Sequence, residues 1–310
     1  VGFDGDIPRQ FLPIHVSGRG RARPLGGRFC DMHGPVGVTD PAAFRELLVG
    51  AGVRSWSFRR CPDRSALDST QVFAETVSHV VRTDLGLEGL RSGGLLSSTS
   101  QLKQALRKER KLAKEVGPLR FEYDHHDPEI LAQLLRWKGD QRERTGSPNV
   151  LEASWAKETL SQLHGVVDRE APATADGRGR MSVLWAGDHV VAAHFGLADD
   201  RRLHWWIPTY APEFAPYSPG LSMLLHLVRE CHARGIEALD LGHGDERYKS
   251  GFATDLIPLY SGAVDRSRVR LALGAASYRL RDSVRQSRLE PGWVATKKLL
   301  RRARGAGGHG

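Results

Sequence analysis

The stretch 236–253 constrains this chain more than any other. Ile236, Ala238, Leu239 and Leu241 give it the face of an apolar strand, which breaks at Gly242 and Gly244. Behind the glycines stand Asp245, Glu246, Arg247, Tyr248 and Lys249 in one run. Glycine admits φ > 0 and the close approach of other backbone. A strand that runs into a glycine-broken polar loop is how an α/β scaffold presents chemistry at a strand's carboxyl end. The residues behind the glycines also suit a helix start with acids in its first turn. A plain connecting loop with a solvated, charged rim fits the same residues, and the stretch alone leaves both readings open.

Just upstream, residues 205–210 are strand-like, 211–220 form a loop with Pro212, Pro216 and Pro219, and 221–235 have the pattern of an amphipathic helix. Ser218 suits the N-cap, Pro219 the first helical position and Gly235 the position just past the end. Unpaired amides at such a helix start carry partial positive charge and accept anions. An ordinary capped helix reads the same way.

Taken together, the strand, Tyr217-Ser-Pro-Gly220, the helix, Gly235, the strand 238–241, Gly-x-Gly and then Tyr-Lys-x-x-Phe resemble the acetyltransferase domain of the CelD/BioF2-like branch of the GNAT superfamily. The segment is also similar to the FemAB peptidyltransferases, whose Phe-Lys-x-Gly-Phe corresponds to Tyr248-Lys-Ser-Gly-Phe252 here. The resemblance covers about residues 100–265. It implies an α/β fold with a mixed sheet, built as two tandem GNAT-like halves. The expected divisions are a degenerate half over 1–99, a linker helix over 100–116, the acyltransferase domain over 117–267 and a basic helical tail over 268–310. It further implies acyl transfer from acetyl-CoA or another acyl-CoA to an amine or hydroxyl of a small-molecule or saccharide acceptor, in polysaccharide or cell-envelope biosynthesis. The alternatives are a FemAB-like transfer from aminoacyl-tRNA and a non-catalytic relative that binds polysaccharide or an assembly partner.

The residues follow from the same resemblance. The donor's pyrophosphate falls at Tyr217, Ser218, Gly220, Leu221 and Ser222, with Ile207 on the strand beside it. The loop carries Ser-Pro-Gly where many GNAT enzymes carry Arg/Gln-x-x-Gly-x-Gly/Ala. Lys249 matches the lysine that steadies the substrate in the FemAB segment, with Tyr248 and Phe252 anchoring it and leaving its amine free; a structural lysine paired with Asp245 or Glu246 is the alternative. Asp240, Glu246, His204 and His194 are the candidate general bases, and Trp206, Asp245 and Tyr248 the acceptor contacts. His204 and Trp206 share a strand face, and Trp205 takes the other.

The rest of the chain agrees with α/β order. A helix is expected over 42–49 behind Asp40 and Pro41, and strands over 53–58, 119–123, 181–185 and 190–197. Helices follow over 128–145 and 154–167. A closing strand is expected over 256–264, with Pro258 suggesting an edge position. The helix 100–116 has Leu102, Leu106, Ala113 and Val116 on one side and six Lys/Arg largely on the others, either a basic substrate-facing surface or a solvated face. Arg19 to Arg23 is a basic turn.

Charge is unevenly placed. The chain of 310 residues carries a net +9, yet twelve Lys/Arg and two acids between Arg266 and Arg304 account for +10, leaving the remainder near −1. The basicity belongs to the tail, which is expected to be dispensable for the core and free to meet an anionic surface; no specific nucleic acid is expected. Cys30, Cys61 and Cys231 have no paired spacing, and the histidines have no metal-ligand spacing, so neither a disulfide framework nor a metal is expected. No apolar run reaches the length of a membrane span and no leader pattern opens the chain, so a cytoplasmic protein is expected.

Overall fold

The computed structural model describes residues 1–38, 40–92, 99–165, 178–244 and 246–286. Asp245, expected at the acceptor site, and the tail beyond Gln286 lie outside the described residues. The chain divides into two compact units: Val1–Thr76 with Leu259–Gly310, and Val77–Pro258.

The first unit opens with the antiparallel pair β1 (Gly2–Asp4) and β2 (Ile7–Gln10). β3 (Ile14–Val16), β4 (Arg21–Pro24), α1 (Pro41–Gly50) and β5 (Ser55–Cys61) follow. Asp40 caps α1 as expected, accepting from the amides of Ala42 and Ala43. Alternation along β5 turns Trp56 and Phe58 inward, where their rings stack at 4.7 Å and Phe44 of α1 meets Trp56 edge-on at 5.3 Å. These rings anchor the unit's core, and truncating one to alanine costs about 3–5 kcal/mol.

β6 (Val72–Arg82) leads into the second unit, followed by α2 (Gly86–Ser92), α3 (Thr99–Glu115), β7 (Leu119–Tyr123), α4 (Pro128–Arg144) and α5 (Ser154–Gly165). Next come β8 (Arg178–Ala186), β9 (His189–Ala198), β10 (Arg202–His204), β11 (Ile207–Tyr210), α6 (Pro219–Ala233), β12 (Ala238–His243) and the single-turn α7 (Arg247–Phe252). The strand order in this unit is β6-β12-β10-β9-β8-β7, and β11 also pairs with β9. β10 and β12 are parallel; the other pairs are antiparallel. The core lies where α6 packs Met223, Leu224, Leu227, Val228 and Cys231 among sheet residues such as Val191, Leu203 and Leu239.

The helix expected as a linker belongs to this core. Leu102, Ala105, Glu109 and Leu112 of α3 are buried along one face, at the i, i+3, i+4 spacings that set residues on one side of a helix. Glu109 is tolerated there because Arg229 of α6 grips it through both carboxylate oxygens, at 2.8 and 3.3 Å, and His226 sits 3.1 Å away. Burial opposes its ionised form, but the His226 ring and the Arg229 guanidinium beside it hold its carboxyl down at about 2.

The chain returns to the first unit through β13 (Asp255–Asp265) and α8 (Arg268–Gln286). β13 does not take the edge position that Pro258 suggested. In the first unit the order is β3-β4-β5-β13-β6, and pairing of β13 with β5 starts at Tyr260, past the proline, so no ladder bond to β5 is asked of it. α8 is not detached either: Tyr278 approaches Phe73 at 6.4 Å between ring centroids.

Candidate functional site

Residues 205–210, expected to be strand-like throughout, form β11 only from Ile207, and the chain breaks at Trp205 and Trp206 after β10. Trp205 N donates to Asp240 O at 2.8 Å, the final link toward β12, and Trp206 N turns back to donate to His204 O at 2.9 Å. Beyond this break β11 stays with β9, in register from Ile207↔Phe195 to Tyr210↔Ala192, and leaves β12. β12 meanwhile continues to pair with β6 on its far side. Two parallel strands thus share hydrogen bonds at their starts and part toward their carboxyl ends, leaving facing backbone edges that no described strand covers. Backbone polar groups on such edges are obligatory hydrogen-bonding groups in search of partners.

The break also sorts the aromatic residues. His204 and Trp206 do share a face, their rings nearly parallel at 6.4 Å. Trp205 lies on the other, stacked on His194 at 4.8 Å and donating Nε1 to Tyr248 Oη at 3.1 Å. Tyr248 and the fully buried Phe252 anchor α7 in the core as expected, and burial pushes the Tyr248 hydroxyl up to about 12. His194 is fully buried; Nε2 meets His204 O at 3.2 Å and Nδ1 has no partner among the described residues. Burial drives its ring down to about 3, so it stays neutral at ordinary pH and serves as packing rather than as a charged base.

On the β12 side, Asp240 is 3% exposed and its Oδ1 accepts from Ser78 Oγ at 2.6 Å and from Gly242 N at 2.9 Å. These bonds hold a bulge between Asp240 and Gly242, and Gly242 at φ 75 supplies the conformation the bulge requires. Lys249 departs from the expectation of a free amine. It is 7% exposed, and Nζ donates to His243 O at 2.9 Å and pairs with Glu246 at 3.2 Å. The cause is the short α7, which turns the chain straight back onto the end of β12. Glu246 stands at the N-cap position of α7 without capping it, and the first turn contains no acid, contrary to the expected acidic helix start.

On the β11 side, α6 begins as expected at Pro219 and ends before Gly235 at φ 73, but Ser218 is not a side-chain cap. Its backbone is left-handed, at φ 52 and ψ 56, which aims the side chain away from the helix amides. Ser218 Oγ instead takes a 2.6 Å hydrogen bond from Lys108 Nζ of α3. Tyr217 Oη donates to Glu115 at 3.1 Å, and the Lys111 ammonium lies 5.6 Å from the Tyr217 ring centre. In the first turn of α6, Ser222 is fully buried and its Oγ has no partner among the described residues. A Cβ added at Gly220 would meet nothing nearer than Tyr210 Cδ1 at 3.7 Å, so the helix start is open there. Ile207 has a buried side chain and Leu221 a partly buried one.

Two lysines were not singled out by spacing in the sequence. Lys108 lies 110 residues from Ser218, and only the basic character of its helix hinted at a role. Lys138 of α4 donates Nζ to Pro208 O of β11 at 2.8 Å. The site is lined by other residues than the cavity of about 690 Å³ that Lys103, Leu106 and Arg110 of α3 form with Arg229. Among the described residues no group of three or more His, Cys, Asp or Glu is placed to hold a metal, and no helix is long and apolar enough to cross a membrane.

Residues 100–250 match the family model described as an acetyltransferase (GNAT) domain. Among solved structures, the C-terminal domain of a protein designated a lysylphosphatidylglycerol synthetase, from Agrobacterium fabrum, shares the fold with a TM-score of 0.56 at 16% identity, over 89% of this chain and 86% of that one. FemX does so with a TM-score of 0.53 at 11% identity, over 85% of each chain. No curated protein sequence matches the chain.

Proposed function

We propose, from the match of residues 100–250 to the acetyltransferase (GNAT) domain model, that the chain transfers an acyl group from an acyl-CoA to an amine or hydroxyl of a polar acceptor, a small molecule or a saccharide. The observation that carries the reading is the parting of β11 from β12 directly ahead of the start of α6. The open α6 start, with the orphaned Ser222 hydroxyl and the room at Gly220, fits a donor's pyrophosphate, and Lys108 stands beside it as a counter-charge. When bound, the thioester supplies an activated acyl group. On the open edge of β11, Pro208 has no N–H and its carbonyl is held by Lys138, which leaves Tyr210 N as the backbone donor for a carbonyl oxygen that gains charge. Lys249, by holding His243 O, keeps the end of β12 in place as the opposite wall. His204, whose ring lies parallel to that of Trp206 beside the break, is the base assigned to the proton transfer.

The experiment is a thermal-shift and calorimetric titration with CoA and acetyl-CoA on the full chain and on Gly220→Glu. Acetyl-CoA is expected to stabilise the parent chain by mass action, and the variant, with a carboxylate pushed into the α6 start, to lose that effect while folding normally. If neither form responds to any CoA ester, the donor assignment fails. A second reading, aminoacyl transfer from aminoacyl-tRNA, is supported by the Tyr248-Lys-Ser-Gly-Phe252 segment and by the two fold neighbours; stabilisation by charged tRNA and by no CoA ester would select it.

A further inference from the structure

The basic turn at Arg19 to Arg23 is not used by the acyl-transfer reading, and in the first unit it lines a cavity of about 510 Å³. The walls are Gly18, Arg19, Gly20 and Arg21 from the β3–β4 connection, Gly52, Arg54 and Ser55 at the entry to β5, and Arg270 of α8. The turns are locked together: Arg54 N donates to Gly20 O at 2.7 Å, and Ser17 N to Arg21 O at 2.9 Å. Gly20, at φ 66, is required, because a Cβ there would stand 2.9 Å from Gly52 O and 3.1 Å from Arg54 Cγ. The glycines therefore serve to bring the arginine-bearing turns side by side.

Four arginines line this space. The carboxylate beside it, Asp265, is consumed by Arg270, which reaches both of its oxygens at 2.9–3.1 Å, and by Ser267 N at 2.7 Å. Arg21 also feels the charge of Asp265, whereas Arg19 and Arg54 form no ion pair among the described residues. Arg19, Arg21 and Arg54 are exposed, and gathering four like charges around one carboxylate works against folding. Guanidinium is always charged, weakly hydrated and forked, and it matches pairs of phosphate oxygens better than it matches any neutral ligand. A volume of this size holds a small ligand.

We propose that this cavity binds a phosphate polyanion, a diphosphate or a phosphomonoester, through the guanidinium groups of Arg19, Arg21 and Arg54. Because arginine does not titrate in the working range, binding follows the ionisation of the phosphate and not of the protein.

The test is isothermal titration of the full chain with inorganic pyrophosphate, beside co-sedimentation with phosphatidylcholine vesicles containing phosphatidic acid. The two arms separate a free phosphate from a lipid headgroup. The basic tail is present in every variant, so differences among variants report the cavity. The pair Arg19→Ala with Arg54→Ala is expected to weaken whichever probe binds by about tenfold or more. Arg45→Ala, which removes an exposed cation elsewhere in the unit, is expected to change it less than about twofold. The pair Arg19→Lys with Arg54→Lys keeps the charge and guards against misfolding; it is expected to weaken binding by about threefold, because the fork is lost. Binding unchanged in the alanine pair, full affinity in the lysine pair, equal losses in Arg45→Ala, or no binding of either probe would each overturn the proposal.

Discussion

Lys249 combines a role in structure with a place at the proposed site. Its ammonium is nearly buried, and it satisfies the carbonyl at which β12 ends. Lys249→Ala is therefore expected to lose about 1–3 kcal/mol of stability, through loss of a hydrogen bond from a charged donor, and to loosen the wall that faces β11. Urea unfolding measures the first effect; a variant as stable as the parent chain would show that the bond contributes nothing. His194 makes a different prediction. Its ring stays neutral down to about 3 in the folded chain, against an ordinary value of 6.5 in the unfolded one. The unfolded chain thus binds the extra proton, so the stability tied to His194 is intact above pH 6.5 and is lost as pH falls toward 3. The slope reaches about 1.4 kcal/mol per pH unit. His194→Phe, which keeps a ring to stack on Trp205, is expected to flatten that slope when unfolding is followed at pH 7, 5.5 and 4.5; parallel pH profiles for the two proteins would contradict it.

At the scale of elements, α3 and α8 are both helices with many basic residues, and both pack rather than dangle. α3 buries Leu102, Ala105 and Leu112 and lends Lys108 to the start of α6. α8 sets Tyr278 and Gly274 against Phe73 and ties Arg270 to Asp265. Truncation at Ser267, which the charge distribution alone presents as harmless, is therefore expected to lower the melting temperature of the first unit by several degrees, through exposure of Phe73 and loss of the Asp265 partner. Truncation after Gln286 removes charge and leaves these contacts. Equal melting temperatures for the two truncations, read by calorimetry, would show that the α8 contacts carry no stability.

Across the whole molecule, what repeats locally was legible from the residues and what depends on distant partners was not. The strand at β5, the cap at Asp40 and the glycine behind α6 are written in neighbouring residues, and the resemblance over about 100–265 overlaps the family match over 100–250. The break at Trp205 and Trp206 was not legible, because two tryptophans in a row suit an unbroken strand; the break exists because Trp205 N finds Asp240 O, 35 residues away. The left-handed Ser218 was misjudged for a like reason: a serine before proline suits a cap until Lys108 claims its hydroxyl. Lys249 looked free because nothing in its neighbours shows that α7 lasts a single turn.

The most direct measurement of the central claim is hydrogen–deuterium exchange of the full chain with and without saturating acetyl-CoA. If the donor lies along the open edge of β11 with its phosphates at the start of α6, the peptides covering 206–222 and 240–249 gain protection, and the β5 and α1 peptides of the first unit do not. Protection confined to the basic residues beyond 266, or absent from 206–222 at saturation, would contradict the account.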